Sequence, residues 1–343
     1  MLKNIILIVI SLILFFALLE TGAAIYIKLS STKLAPLTED FAETPDSPHL
    51  FDREVGYRLK PVYSDKNIKT NSMGFRSSRD FDFKDAQRKR VMILGDSMAF
   101  GYRLEQKNVF SEILNDKNIG FDFVNTSVIG YTTAQEYLTL KKYIDIIKPE
   151  IIILFYYQAN DIWENCRNDC FHPKAYLSNG RLAIAGVKKH SGTAFYKRSN
   201  FYRLLDKRIL QGMDLQYFIQ RLDFGIRGKN SVVWKTMREI LSEIGGIARR
   251  RNIKVIVIDI PTINQVKKPS GSRARQNLLV KACEEEKFLY YDLLLYYPDD
   301  RKELFCDWKY DAHWNKNGQQ FIASFIEKIF SENKLLHGKH ENK

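Results

Sequence analysis

The chain has 343 residues, of which 45% are hydrophobic and 27% charged, an ordinary globular balance that argues against wholesale disorder. That length accommodates a membrane segment plus one sizeable domain with a closed core. A formal net charge of +13 would suggest nucleic acid in a cytosolic chain, but the first thirty residues point away from the cytosol.

From Ile5 to Leu19 the sequence reads IILIVISLILFFALL, preceded by Lys3 and followed by Glu20, after which TGAAIYI carries the apolar character to Ile27. Read to Ile27, the segment is long enough to span the roughly 30 Å hydrocarbon core of a bilayer. Read to Leu19 only, it fits the apolar centre of a signal peptide, with Gly22, Ala23 and Ala24 as the cleavage site. Glu20 is costly at mid-bilayer and cheaper near one end of a span. The leading reading is a retained single-pass anchor over residues 1–28; either reading sends the rest of the chain out of the cytoplasm, to a periplasmic or extracellular location. Residues 29–50 are polar, carry Pro36, Pro45 and Pro48, and read as a tether. Together with the mixed, basic stretch that follows, they make a tether and N-terminal extension over 29–87.

The main domain is expected over 88–335, with a tail at 336–343. VMILG (91–95) is a short apolar run ending at glycine, as a buried parallel strand should. Val109, Phe110, Ile113 and Leu114 suit one face of a helix over 108–117. FDFVNTSV (121–128) predicts a second strand, Ala134 to Ile147 a helix stopped by Pro149, and IIILFYY (151–157) a third strand. Residues 163–230 break this rhythm as an insertion or lid would. Beyond them Val233, Met237, Ile240, Leu241, Ile244 and Ala248 mark a helix, KVIVIDIP (254–261) a strand, Arg273 to Glu286 a helix, FLYYDLL (288–294) a strand and Asn315 to Phe330 a closing helix. Strands separated by helices imply a parallel sheet covered on both faces.

The four cysteines, Cys166, Cys170, Cys283 and Cys306, are an even number in a chain read as exported, which predicts two disulfides with three pairings open. Cys166, Cys170 and His172 do not complete a tetrahedral metal set, and no metal is expected.

In a doubly wound sheet, functional groups gather at the carboxyl ends of strands. Asp96-Ser97 follows the first predicted strand, Gly130 the second, and Gln158-Ala159-Asn160-Asp161 the third; Asp311-Ala312-His313 stands before the last helix. Those residue types supply the parts of nucleophilic acyl transfer. A serine hydroxyl needs a base to take its proton, and His313 is the natural base near neutral pH. Asp311, two residues away, can fix its tautomer, so one turn holds both partners. The backbone N–H groups of Ser97 and Gly130 and the side-chain amide of Asn160 are the candidate donors to a developing oxyanion, glycine suiting its place because a missing Cβ allows close backbone approach.

The ordered set GDS (95–97), Gly130, AND (159–161) and DAH (311–313) resembles the SGNH, or GDSL, hydrolases over roughly residues 88–335. The resemblance implies a flavodoxin-like three-layer α/β/α sandwich, here preceded by one N-terminal transmembrane helix. It also implies a Ser97–His313–Asp311 triad and an oxyanion hole of Ser97, Gly130 and Asn160. TNSMGFR (70–76) resembles a segment of bacterial membrane-anchored members, which often act on acyl groups of cell-surface polysaccharide or peptidoglycan. Two positions depart from the pattern. The glycine usual two residues before the Asn is Gln158, which affects the local backbone path. The usual Asp–x–x–His is shortened: Tyr310 stands three before His313, leaving Asp311 as the acid with Asp307 behind it.

The expectation is a serine esterase that removes acyl groups, acetyl foremost, from a cell-envelope glycan. Its partners are an acylated polysaccharide, peptidoglycan or lipid substrate and the membrane, with no nucleic acid and no cofactor. An O-acyltransferase using the same triad and a catalytically silent glycan-binding module remain as alternatives. His49, His172, His190, His337 and His340 read as surface or structural. Arg249-Arg250-Arg251 with Lys254 reads as a helix C-terminus complementing its dipole. Tyr102, Tyr131, Tyr156, Tyr157 and Trp314 divide evenly between a glycan cleft and core packing.

Overall fold

Five parallel strands form the centre of the molecule, and their order explains where its polar residues meet. The computed structural model describes residues 2–30, 46–85, 88–166, 172–187, 199–205, 215–307 and 311–335. In chain order the strands are β1 (His49–Asp52), β2 (Gly56–Leu59), β3 (Lys89–Leu94), β4 (Phe121–Asn125), β5 (Ile151–Tyr157), β6 (Lys174–Ser178), β7 (Arg181–Ala185), β8 (Lys254–Ile260), β9 (Leu289–Asp292), β10 (Phe305–Asp307) and β11 (Asp311–Trp314). The helices are α1 (Leu2–Leu29), α2 (Ser97–Phe100), α3 (Phe110–Lys117), α4 (Thr133–Ile147), α5 (Asp161–Glu164), α6 (Asn200–Leu205), α7 (Leu215–Arg227), α8 (Val232–Arg251), α9 (Ile263–Lys267), α10 (Ala274–Glu286) and α11 (Lys316–Glu332).

The central sheet has the order β4-β3-β5-β8-β9, all parallel. Numbered by their own succession these strands run 2-1-3-4-5, the flavodoxin-like order, whose direction of winding reverses between β3 and β5. The strands form because their apolar runs are buried on both faces. Met92, Leu94, Ile152, Leu154, Val255 and Val257 point into one core with α4, α8 and α10. Val91, Ile93, Ile151, Ile153, Ile256 and Ile258 point into the other with α3 and α11. At about 1.5–3 kcal/mol per fully buried aliphatic side chain, the two cores dominate what holds the layers together. The α/β/α sandwich expected from the sequence is the fold.

A third, smaller cluster joins the N-terminal extension to the carboxyl edge of the sheet. The β1–β2 hairpin delivers Val55, Tyr57 and Leu59 against Phe100, Val128, Tyr131 and Leu138. Polar contacts fix it there: Tyr57 Oη donates to the Ile129 carbonyl at 2.7 Å, Gln135 Nε2 to the Val55 carbonyl at 2.8 Å.

Within the insertion, β6 and β7 form an antiparallel hairpin, and α7 packs on α5 and α8. α1 is continuous through Gly22–Ala24, and Ile6–Leu29 is long and apolar enough to cross a membrane, with a mean hydropathy of 2.5. Its one acid, Glu20, accepts hydrogen bonds from Ser199 Oγ at 2.7 Å and from the backbone N–H groups of Asn200 (2.6 Å) and Phe201 (3.0 Å) at the start of α6.

The two-disulfide expectation is corrected. Cys166, Cys283 and Cys306 are not in a disulfide; Cys170 lies outside the described residues. Cys166 and Cys283 are small apolar members of one core cluster, whereas Cys306 is exposed on β10. Burial, aided by the nearby Asp259 and Glu284 charges, pushes the Cys283 thiol up out of the reactive range. The basic run at the end of α8 is paired with acids, Arg249 with Glu286 and Arg251 with Asp145.

Candidate active site

The turn after β3 carries Ser97. Gly95 is required there for space: a Cβ would lie 2.7 Å from the Ala99 Cβ and 3.1 Å from the Phe155 Cβ. The next residue, Asp96, caps α2 by accepting the Met98 N–H at 2.9 Å through Oδ1, and its Oδ2 accepts Asn160 Nδ2 at 2.9 Å. Its carboxyl is fully buried. Burial raises its pKa, while the Met98 and Asn160 N–H groups and the nearby His313 favour the ionised form. Ser97 is the first residue of α2.

Asp311 and His313 reach Ser97 from a hairpin rather than the expected loop. β10 and β11 pair antiparallel with a shift in register, and Asp307 stands opposite Asp311. Side chains at i and i+2 share one face of a strand, so the Asp–x–His spacing places both groups together. The intervening geometry sends Trp314 the other way, into the core, where its Nε1 donates to Tyr297 Oη at 3.0 Å. His313 Nε2 lies 2.8 Å from Ser97 Oγ, and His313 Nδ1 lies 2.6 Å from Asp311 Oδ1. Asp311 Oδ1 also accepts the His313 backbone N–H at 3.0 Å. Burial acts to raise the Asp311 pKa, but these bonds from His313 and the charges of His313 and Arg103 outweigh it and hold the carboxyl low. The three residues named from sequence therefore form one hydrogen-bonded chain, although Ser97 and His313 are 216 positions apart.

Gly130 and Asn160 complete the edge. The loop holding Gly130 is stitched to the turn after β3, because the Val128 N–H donates to the Gly95 carbonyl. Gly130 has φ +77°, and a Cβ would meet Tyr57 Oη at 2.9 Å. Its carbonyl faces His172 Nε2 at 3.1 Å, so His172 is a structural support of that loop. Asn160 caps nothing with its side chain; it spends one of two amide hydrogens on Asp96, leaving the other for a ligand. Gln158 explains the departure at its position. Its Nε2 donates to both Asp259 oxygens at 2.7 and 2.8 Å, tying the end of β5 to β8. Buried there, Asp259 is shifted up to about 6 despite the bonds from Tyr290 and Gln158.

Several contributors have no local sequence signal. Arg103 Nη1 donates to Asp311 Oδ2 at 3.0 Å, and its guanidinium lies 4.9 Å from the Tyr102 ring, which itself packs on the His313 ring at 4.8 Å. Arg76, from the TNSMGFR segment, is buried with its guanidinium 4.1 Å from the Phe100 ring. It donates to the carbonyls of Gly101 (3.0 Å), Leu104 (2.7 Å) and Asn67 (3.1 Å). Burial pulls its pKa down to about 10, which leaves it charged at neutral pH. Gln319 on α11 donates to the Met98 carbonyl at 3.2 Å and accepts the Phe110 N–H at 2.9 Å, fastening the helix behind His313 to the helix behind Ser97.

Behind the turn lies a group of buried acids. Neither Glu136 oxygen has a hydrogen-bond partner, and burial followed by the charges of Asp161 and Asp96 drives its pKa well above the ordinary carboxylate value. Asp161 is raised by burial and by the charges of Asp96 and Glu164, against the Tyr157 N–H that its Oδ2 accepts at 2.6 Å. Among the described residues no group of three or more His, Cys, Asp or Glu is arranged to hold a metal ion. Of the five aromatics weighed for a cleft, Tyr131, Tyr156 and Trp314 are core residues, and the Tyr102 ring contacts His313 of the hydrogen-bonded chain. A groove of about 690 Å³, lined by Lys89, Lys148, Arg251 and Lys254 among others, lies at the opposite, amino edge of the sheet.

No family model and no curated protein matches the sequence. Solved structures similar to the chain include a psychrotrophic esterase from Pseudoalteromonas, at 14% identity and a TM-score of 0.42 over 71% of this chain and 97% of that one. A lipase/acylhydrolase from Enterococcus faecalis is similar at 15% identity and 0.42, over 74% and 99%. A G-D-S-L family lipolytic protein from Desulfitobacterium hafniense is similar at 12% and 0.40, over 71% and 99%. The chain's own strand order and side-chain geometry carry the functional reading.

Proposed function

We propose that the chain is a serine ester hydrolase of the SGNH, or GDSL, kind, with Ser97 as nucleophile, His313 as base and Asp311 as the acid that orients it. The observation that carries this reading is the Ser97–His313–Asp311 chain, with separations of 2.8 and 2.6 Å, at the reversal point of a doubly wound sheet. His313 takes the Ser97 proton as Oγ attacks an ester carbonyl, and Asp311 stabilises the imidazolium that forms. The tetrahedral oxyanion is held by the N–H of Ser97, the N–H of Gly130 and the second amide hydrogen of Asn160. Preorganised donors of this kind are each worth about 3–4 kcal/mol of transition-state stabilisation. His313 then returns the proton to the leaving alcohol, and water, activated by the same base, releases the acid.

The finer reading is an enzyme anchored by α1, with its domain outside the cytoplasm, removing acetyl groups from a cell-envelope glycan. It is supported by the apolar N-terminal helix and by the likeness of TNSMGFR to membrane-anchored members of the family. The test is hydrolysis of an aryl acetate by the full chain in detergent, beside Ser97→Ala and His313→Ala. Turnover should fall by more than about a thousandfold in each folded variant. A folded wild type that neither hydrolyses the ester nor reacts with a serine-directed phosphonate refutes the enzyme reading. Labelling without hydrolysis indicates transfer to another acceptor.

A further inference from the structure

The outward face of α7 is apolar where a water-facing helix should be polar. Phe218, Ile219, Leu222 and Ile226 are 37%, 56%, 48% and 81% exposed. At 100° per residue these four positions fall within an arc of about 100°. Phe224, roughly opposite on the wheel, is turned inward, its ring 5.4 Å from that of Trp163. The helix therefore meets the protein with one narrow face and presents a continuous apolar stripe to its surroundings. Arg221 and Arg227 lie off the stripe and Lys229 follows it, a distribution that suits an anionic lipid surface.

A second observation places the element that precedes α7 in the chain against the apolar N-terminal helix. Counted from the start of α1 at Leu2, Glu20 lies about 27 Å along the axis at 1.5 Å per residue, where a helix that enters at Leu2 leaves a hydrocarbon core of about 30 Å. A carboxylate at that boundary needs partners, and it obtains them from Ser199 and from the backbone N–H groups of Asn200 and Phe201. Ala23, buried on the α1 face turned to α6, allows the two helices to approach closely. α6 therefore lies at the depth of Glu20, at the boundary of the hydrocarbon, where Phe201 and Tyr202 match the aromatic character of a membrane interface.

We infer that α6 and α7 lie on the bilayer that α1 enters, with Phe218, Ile219, Leu222 and Ile226 sunk into its lipid boundary. The inference rests on α1 being a membrane anchor, and it extends that reading from a tether to a docked domain. α7 packs on α5, whose N-cap is Asn160, so the seated helix holds the Asn160 side of the site toward the membrane face.

The test uses the full chain reconstituted into vesicles of equal parts phosphatidylcholine and phosphatidylglycerol, with and without brominated acyl chains. Ile219→Trp and Ile226→Trp report the stripe; Ile146→Trp, on α4 near the amino edge of the sheet, is the reference, and the emission of the parent chain is subtracted. Both stripe tryptophans should emit to the blue of the reference and lose at least about half their intensity to bromine, with the reference unchanged. Co-flotation with the vesicles but no quenching at either stripe position overturns the docking while leaving the anchor and the ester chemistry intact. Blue-shifted, unquenched stripe tryptophans whose emission depends on protein density in the vesicle also overturn it, because a second copy then covers the stripe.

Discussion

Ser97 is held from inside the protein, whereas His313 is held near its surface. The turn of Ser97, the proposed nucleophile, rests on Gly95, which has no room for a Cβ, on the fully buried Asp96, and on Arg76, buried beneath the loop that follows. His313, the proposed base, sits on a two-stranded hairpin whose Asp311 leans on Arg103, a side chain that is 63% exposed. Inside, a missing partner leaves a buried polar group unsatisfied; outside, water takes its place. The two halves should thus fail differently when their supports are removed.

The largest effect within this comparison is expected from Asn160→Ala, which removes a proposed donor to the oxyanion and a hydrogen bond to Asp96. kcat should fall by about 100- to 1000-fold with KM little changed; a loss under tenfold would take Asn160 out of the oxyanion hole. Arg76→Met strands the Gly101 and Leu104 carbonyls. It should cost about 3 kcal/mol, seen as a Tm lower by roughly 6–12 °C, and an unchanged Tm would break the claim that the turn is supported from within.

Glu136→Gln tests the acids behind the turn through the pH dependence of stability. The folded-state pKa of Glu136 is raised, so above the ordinary value near 4.5 the folded chain keeps a proton that the unfolded chain has lost. Stability accordingly falls as pH rises through that window, by up to about 1.4 kcal/mol per pH unit for one group. The amide abolishes that loss. The variant should gain Tm over wild type between pH 5 and pH 8; parallel curves would show that Glu136 does not hold its proton. The smallest effect belongs to Arg103→Ala, whose exposed ion pair should change kcat/KM by about two- to fivefold at low ionic strength and less in high salt. A loss as large as that of His313→Ala would mean that the hairpin, too, depends on one rigid support.

What could be read from sequence follows the same division. The strands of the central sheet announce themselves as short apolar runs, since a strand buried on both faces has nothing polar to display. Ser97, Gly130, Asn160, Asp311 and His313 lie at the ends of such runs or before α11, and their order along the chain, with the resemblance it carries, marks them as candidates; three of them, Ser97, His313 and Asp311, meet in one hydrogen-bonded chain. The β10–β11 hairpin leaves no mark in the sequence because its strands are three and four residues long and their pairing is set by tertiary contacts. Arg103, Gln319 and the link from Glu20 to α6 were invisible for the same reason: each acts on a residue far away in sequence, with no periodicity to mark it. The cysteines misled because their even number fitted an exported chain, while the core uses Cys166 and Cys283 as small apolar side chains.

Gln319 has a consequence for timing. The hydrogen bonds that it makes to Met98 and Phe110 belong to α11, the last helix among the described residues, and they fasten the far end of the domain to the turn of Ser97. Ser97 lies early in the chain, whereas the strand that carries His313 directly precedes α11. On the proposed mechanism the site is therefore complete only once the two ends of the domain have met.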